Sequence, residues 1–137
     1  MQEARLLYAA REAMGHAHVP YSGFRVGAAV LCRDGSIVTG CNVENASYGL
    51  SMCAERVAIF RAIAEGKRQF LKLAVVADAP EPVSPCGACR QVMAEFFPDE
   101  ALVVLGNTQG NSTQVKMSEL LPRPFSASSF LKGDIST

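Results

Sequence analysis

Residues 71–97 read LKLAVVADAPEPVSPCGACRQVMAEFF, and the fold is decided in this stretch. Its first part, residues 71–77, is a short apolar run that predicts a strand buried on both faces. Three prolines then interrupt the chain, and residues 87–97 have the pattern of a helix. Because such a strand must be covered on both sides, the stretch predicts a layered α/β domain.

The same periodicities predict the other elements. Apolar residues at helical spacing predict a first helix at about residues 4–17. A second helix is predicted at residues 51–64, with Ser51 as its N-cap. An Asp-Gly pair at positions 34–35 predicts a tight hairpin between two strands. The predicted strands are residues 24–32, 37–44, 71–77, 101–105 and, more weakly, 114–117. Their alternation with helices predicts a three-layer α/β/α sandwich and leaves the strand order open.

The composition limits the class of protein. The 137 residues fit a single domain, which we expect to span residues 1–131 and to end in a disordered tail at 132–137. Thirteen basic and thirteen acidic residues are scattered along the chain, and this argues against a nucleic-acid partner, which requires concentrated Lys and Arg. The sequence has no continuous apolar run of the kind that a signal peptide or a membrane span requires, so we expect a cytoplasmic protein. The apolar fraction of 49% favours oligomerisation.

The sharpest local signal is Cys86-Gly87-Ala88-Cys89. The five cysteines are an odd number in a chain that we expect to be cytoplasmic, which favours metal binding over disulfides. A spacing of three residues at the start of a helix brings two thiols to one side of it. Cys53 lies in the corresponding place at the start of the preceding helix. Three thiolates aimed at one point could hold zinc at about 2.3 Å each.

Two other interpretations of this cysteine pair stay open. A thioredoxin-like redox pair normally follows the first strand, whereas this pair lies late in the chain. A structural zinc site would need a fourth protein ligand, and spacing alone does not separate it from a catalytic one. The candidate fourth ligands are Cys41, Cys32, His16 and His18. Cys41 is weakened as a candidate, because strand alternation turns it away from the face that carries Asn42 and Glu44. Both histidines are interpreted as residues at the C-terminal end of the first helix and not as ligands.

Glu55 favours the catalytic alternative, because it lies two residues after Cys53 in the first turn of the predicted helix. A structural zinc site has no use for a carboxylate beside the metal, whereas a hydrolytic site needs a group that accepts a proton from water. The plainer interpretation of Glu55 is a solvated acid at a helix N-terminus. Arg56 could offset the excess negative charge of three thiolates on zinc, or be an ordinary surface cation.

Residues 53–55 (CAE) and 85–89 (PCGAC) together resemble the signature of the zinc nucleoside and nucleobase deaminases. Further stretches, in the same order along the chain, resemble the small cytidine deaminases: residues 19–22 (VPYS), 26–29 (VGAA), 41–48 (CNVENASY) and 120–122 (LLP). The resemblance covers about residues 6–125. It implies a mixed five-stranded sheet and hydrolytic deamination of cytidine and 2′-deoxycytidine to uridine and 2′-deoxyuridine, with release of ammonia, in pyrimidine salvage.

The resemblance also implies a cofactor, an assembly and a catalytic group. The three cysteines at 53, 86 and 89 would bind one Zn²⁺ per subunit, with water as the fourth ligand. Glu55 would carry protons from that water to ring N3 and to the departing amine. The three-cysteine branch of the family implies a homotetramer with shared active sites. In it, Tyr48 would lie between subunits and Phe125 would reach the neighbouring site.

For the substrate, the resemblance implies contacts with both the base and the sugar. The backbone amide of Ala54 and the carbonyl of Ser84 would contact the base, and Phe24 would pack against the pyrimidine, although Phe24 alone would be assigned to the core. Asn42 and Glu44 would bind the ribose. Without a ligand they would be a hydrogen-bonding pair at a strand end.

Two functional alternatives stay open. A deaminase of the same fold could act on a modified cytosine nucleoside, such as a blasticidin-type antibiotic or an N4-substituted analogue. A protein of a different class could be a zinc-stabilised binding module without catalytic activity, and Glu55 argues against it.

Overall fold

The central layer of the computed structural model is a mixed five-stranded sheet. The structure describes residues 2–131, so the predicted disordered tail at 132–137 lies outside them. The strands are β1 (Val26–Cys32), β2 (Ile37–Cys41), β3 (Phe70–Ala77), β4 (Leu102–Asn107) and β5 (Ser112–Lys116). Their order across the sheet is β2-β1-β3-β4-β5. Strands β3 and β4 are parallel, and the other neighbours are antiparallel.

Helices cover both faces of this sheet. The described helices are α1 (Gln2–Met14), α2 (Ala54–Ala64), α3 (Gly87–Phe96) and the short α4 (Met117–Leu120). One core cluster lies beneath α1, and a larger one lies on the other face, beneath α2 and α3. The predicted α/β/α sandwich and its mixed sheet are therefore confirmed. Within residues 2–131, no helix is long and apolar enough to cross a membrane.

The burial of the strands follows their composition. All seven residues of β1 are buried, as expected for a central strand between two helical layers. Strand β5 lies at the edge of the sheet and is mostly exposed, which explains its weaker sequence signal. The Asp-Gly hairpin is also confirmed, because Gly35 has a positive φ of 90° in the turn between β1 and β2.

The end of β2 differs from the prediction. The strand ends at Cys41 instead of extending to position 44, because the chain leaves the sheet and pairs with His18. The His18 amide donates to the Asn42 carbonyl at 3.0 Å, and the Glu44 amide donates to the His18 carbonyl at 2.8 Å. Helix α1 ends at Met14, not at position 17, so the interpretation of His18 as a helix C-terminal residue was wrong.

The start of α2 also differs from the prediction. Met52 and Val43 exchange two backbone hydrogen bonds, of 2.8 and 3.0 Å, and these keep the chain extended before the helix. The N-cap is therefore Cys53 and not Ser51, whose hydroxyl instead accepts a bond from the Asn45 amide. The remaining boundaries agree with the predicted ones or differ by at most two residues.

Two glycines allow the helices to approach the sheet closely. A Cβ at Gly27 in β1 would lie 1.9 Å from the Ala10 carbonyl oxygen of α1. A Cβ at Gly40 in β2 would lie 2.4 Å from the Ala58 amide nitrogen of α2. Both contacts are with helix backbone, which cannot move aside as a flexible side chain can. These glycines therefore set the distance of each helical layer from the sheet.

The substitution Gly40→Ala should destabilise the protein, because the added methyl group would push α2 away from β2. We expect a loss of about 1–3 kcal/mol in the free energy of unfolding, measured by urea denaturation. Gly49→Ala is the matched control, because a Cβ there meets no atom within 4 Å. Equal unfolding midpoints for the two variants would contradict the close packing of α2.

Candidate active site

The N-termini of α2 and α3 meet at a cluster of three thiols. Cys53 and Cys86 are the N-caps of these helices, and Cys89 lies in the first turn of α3. The three sulfur atoms lie within 4.8 Å of one another, and those of Cys53 and Cys86 are 3.7 Å apart. Zinc–sulfur bonds of about 2.3 Å in tetrahedral geometry place sulfur atoms about 3.8 Å apart. The cluster therefore fits a zinc ion.

Three protein ligands leave one tetrahedral position free. Among the His, Cys, Asp and Glu side chains of residues 2–131, only these three thiols form such a group. None of the four candidate fourth ligands, Cys41, Cys32, His16 and His18, joins it. Catalytic zinc sites in proteins keep a position for water or substrate, whereas structural sites are closed by four protein ligands. The donor set is therefore that of an open site.

Arg56 contacts this cluster directly. Its Nη2 donates to the Cys53 sulfur at 3.5 Å, and its Nε is buried without a hydrogen-bond partner in the described structure. Arg56 is thus more than a surface cation. Hydrogen bonds from the Cys89 thiol and from Arg56 lower the pKa of Cys53 to about 5, against the opposing effect of burial. The bond to Cys53, together with burial, raises the pKa of the Cys89 thiol. A dication would allow all three thiols to ionise.

Glu55 is buried beside the thiols. It lies in the first turn of α2, and only 5% of its surface is exposed, so it is not the solvated acid of the plainer interpretation. Burial raises the pKa of this carboxyl group to about 7, and the negative charge of the neighbouring Cys53 adds to the effect. A carboxyl group with a pKa in this range can both accept and donate a proton near neutral pH.

A cleft of about 200 Å³ opens onto these groups. Its lining includes seven of the predicted site residues: Phe24, Asn42, Cys53, Ala54, Glu55, Ser84 and Cys86. Three valines complete it, and sequence analysis did not find them: Val26, Val75 and Val83. Val26 and Val75 lie in β1 and β3, and nothing in an apolar strand sequence separates a cleft residue from a core residue. Phe24 is 40% exposed, so it is not a core residue.

Asn42 connects the cleft wall to the sheet. Its Oδ1 accepts from the Val26 amide at 2.9 Å, and its Nδ2 donates to the Phe24 carbonyl at 2.8 Å. Glu44 bonds to the preceding loop, accepting from the amides of Tyr21 and Ser22 at 3.0 and 3.1 Å and from the Ser22 hydroxyl. These bonds, chiefly those from Ser22, lower the pKa of Glu44. Both side chains therefore organise the segment that leads into β1.

Three of the predicted substrate contacts do not line the metal cleft of this single chain. Glu44 and Tyr48 line a neighbouring cleft of about 300 Å³, together with Tyr21, Ser22 and Ser51. The Tyr48 ring meets the Tyr21 ring edge to face at 5.9 Å. Phe125 is 65% exposed and stacks on Phe130 at 5.8 Å. The structure thus brings the predicted metal ligands and the predicted base contacts together and leaves these three side chains outside them.

Comparison with known proteins identifies the family. A family model described as the cytidine and deoxycytidylate deaminase zinc-binding region matches residues 1–105. The cytidine deaminase of Halalkalibacterium halodurans is 54% identical over 127 residues, which are 93% of this chain and 96% of that protein. The crystal structure of cytidine deaminase from Burkholderia pseudomallei has a TM-score of 0.88 and 49% sequence identity, and the match covers 91% of this chain and 100% of that chain.

The open thiolate set and the buried carboxylate define the class of this protein as a zinc enzyme that activates water. Within that class, the chain belongs to the cytidine and deoxycytidylate deaminase family. Zinc is its cofactor, because the matching family model describes a zinc-binding region and the structure brings three cysteines together in a cluster that fits zinc.

Zinc stoichiometry tests the ligand set. We expect the purified protein to hold one zinc per chain and Cys86→Ser to lose most of it, because serine replaces a thiolate ligand. Cys41→Ser is the matched control, since Cys41 is a free cysteine outside the cluster and should leave the metal content unchanged. Metal analysis after gel filtration measures both. Full zinc content in Cys86→Ser would contradict the assignment.

Proposed function

We propose that this protein hydrolyses cytidine and 2′-deoxycytidine to uridine and 2′-deoxyuridine, with release of ammonia. The observation that carries the proposal is the buried carboxyl group of Glu55 beside a cluster of three thiols that leaves one coordination position free. The names of the two similar proteins described above support the same reaction. The activity joins one water molecule to the substrate and breaks the bond between C4 and the exocyclic nitrogen.

Cys53, Cys86 and Cys89 would hold the zinc ion in this reaction. When bound, zinc supplies Lewis-acid activation of a water molecule, which becomes a nucleophile near neutral pH. The N-terminal ends of α2 and α3 stabilise the ligand thiolates through their helix dipoles. Arg56 stabilises the Cys53 thiolate through the hydrogen bond from its Nη2.

Glu55 would be the proton-transfer group. Its carboxylate accepts a proton from the attacking water and delivers it to ring N3, which makes C4 a better electrophile. It then transfers the second proton of the water to the departing amine, which leaves as ammonia. Its burial in the cleft keeps bulk water from competing for these protons.

The cleft would orient the base through backbone groups. Ala54 is the first residue of α2, so its amide has no partner within the helix and is free to donate to the pyrimidine. The Ser84 carbonyl would accept from the amino group that leaves. Phe24 would pack against the ring, and Asn42 at the cleft wall would bind the ribose. Glu44 would extend this sugar contact from the neighbouring cleft.

Glu55→Gln should strongly reduce turnover and leave the fold and the zinc content unchanged. Glutamine has nearly the same shape but cannot accept the proton, and we expect kcat to fall by about 10²–10⁴-fold. The measurement follows absorbance and ammonia release with cytidine as substrate. Glu65→Gln is the matched control, because Glu65 lies at the far end of α2 and pairs with Arg61. Wild-type turnover in Glu55→Gln would remove Glu55 from the mechanism.

A substrate panel on the wild-type protein completes this test. Cytidine and 2′-deoxycytidine should both react, and free cytosine should react poorly because it lacks the sugar that Asn42 would bind. If only a blasticidin-type or N4-substituted nucleoside reacts, the alternative within the family is correct. A zinc-loaded protein without turnover on any cytosine nucleoside would contradict the proposed function.

We also propose a homotetramer with shared active sites, working in the cytoplasm in pyrimidine salvage. Large apolar side chains exposed on the described chain support the assembly, including Tyr48 at 73% and Leu50 at 71% exposure. Tyr48 and Phe125 lie outside the metal cleft of their own chain, as expected if they serve a neighbour. Sedimentation analysis of the zinc-loaded protein should give the mass of four chains, and a monomer at micromolar concentration would contradict the assembly.

A further inference from the structure

Residues 79–85 lie between β3 and α3, and this loop segment forms one wall of the metal cleft. It contributes Val83 and Ser84 to the lining and leads directly into Cys86. The loop has no helix or strand, and three of its seven residues are prolines, which have no amide hydrogen to donate. Its position must therefore be fixed by groups outside it.

Two side chains supply that support within the described structure. At the far end of the loop, the Asn107 Nδ2 donates to the Pro80 carbonyl at 2.7 Å. At the end next to the metal cluster, the Arg90 Nε donates to the Pro85 carbonyl at 2.9 Å. Among residues 2–131, these are the side chains that bond to the backbone of the loop.

Arg90 ties this loop to a second element. Its Nη1 donates to the Leu120 carbonyl at 2.8 Å, at the end of α4, while its Nε holds Pro85. The guanidinium group is planar and rigid, so two bonds from one group fix the relative position of both carbonyls. Arg90 also lies in α3, one residue after Cys89. One side chain thus connects α3, the loop segment at residues 79–85 and α4.

We propose that Arg90 is a positioning residue for the metal centre. It holds the Pro85 carbonyl and so fixes the direction in which the chain enters α3, where Cys86 points its sulfur at the other two thiols. This inference rests on the proposed function, in which Cys86 is a zinc ligand and Ser84 contacts the base. Asn107 holds the other end of the loop, so the effect of Arg90 is concentrated on the segment next to Cys86.

Zinc affinity tests this role without any substrate. The full-length protein is loaded with zinc and titrated with a chelator of known affinity. Arg90→Gln should weaken zinc binding by about tenfold or more, the range seen when groups that orient metal ligands are lost. Arg68→Gln is the matched control, because its Nη1 donates at 2.9 Å to the carbonyls of Ile63, at the C-terminal end of α2, and of Lys67, in the segment that follows, both at the end of α2 away from the thiols. Equal zinc affinities for the two variants would overturn the proposal.

Two further variants keep the test decisive. Arg90→Lys retains the charge but can reach only one carbonyl at a time, so its zinc affinity should lie between those of the wild type and Arg90→Gln. Affinity equal to the wild type would overturn the proposed role of the two-carbonyl contact. Leu6→Ala destabilises the opposite face of the sheet and should keep its zinc affinity. If Leu6→Ala weakened zinc binding as much as Arg90→Gln, the effect would be general loss of stability and the proposal would fail.

The chelator titration separates this proposal from the proposed function. If no cytosine nucleoside is turned over but Arg90→Gln weakens zinc binding, the positioning role stands and the reaction does not. If turnover is normal and Arg90→Gln binds zinc like the wild type, the reaction stands and the positioning role does not.

Discussion

The convergence of two helix N-termini on one point is the constraint on which the rest of the site depends. Helices α2 and α3 each begin directly after a cysteine, so the unpaired amides and positive dipole ends of both helices face the sulfur cluster. This field lowers the free-energy cost of holding several thiolates together. The sheet enforces the convergence, because both helices pack on the same face of it. Any change that moves one helix therefore changes the geometry of the metal site.

Two consecutive residues of α2 lie in different environments, because successive side chains of a helix point in different directions. Glu55 is directed into the cleft, where burial favours its neutral form, and Arg56 is directed to the sulfur of Cys53, where its charge is matched. A metal centre with three thiolates carries excess negative charge, which would oppose the ionisation of water. The arginine and the helix dipoles offset that charge without occupying the free coordination position. The start of one helix thus supplies a thiol of the cluster, the carboxyl group that we propose transfers protons, and a counter-charge.

Local signals account for the part of the fold that could be predicted. Apolar runs and helical spacing identified the five strands and three main helices, because both depend on neighbouring residues. The start of α2 could not be predicted, because Ser51 has the residue type of an N-cap and only the distant Val43 keeps Met52 extended. The strand order also depends on long-range pairing. The cysteines and Glu55 stand out by spacing, whereas the valines of the cleft look like any core residue.

The proposed binding role of Asn42 is compatible with the structural role that its side chain has. Its amide already bonds to the backbone at Val26 and Phe24, a structural role that needs no ligand. An amide has four hydrogen-bonding positions, so two stay available to a sugar hydroxyl. Because the two existing bonds fix its rotamer, binding a nucleoside would not require the side chain to become ordered. The structural bonds would therefore prepare the proposed contact with the sugar and would not compete with it.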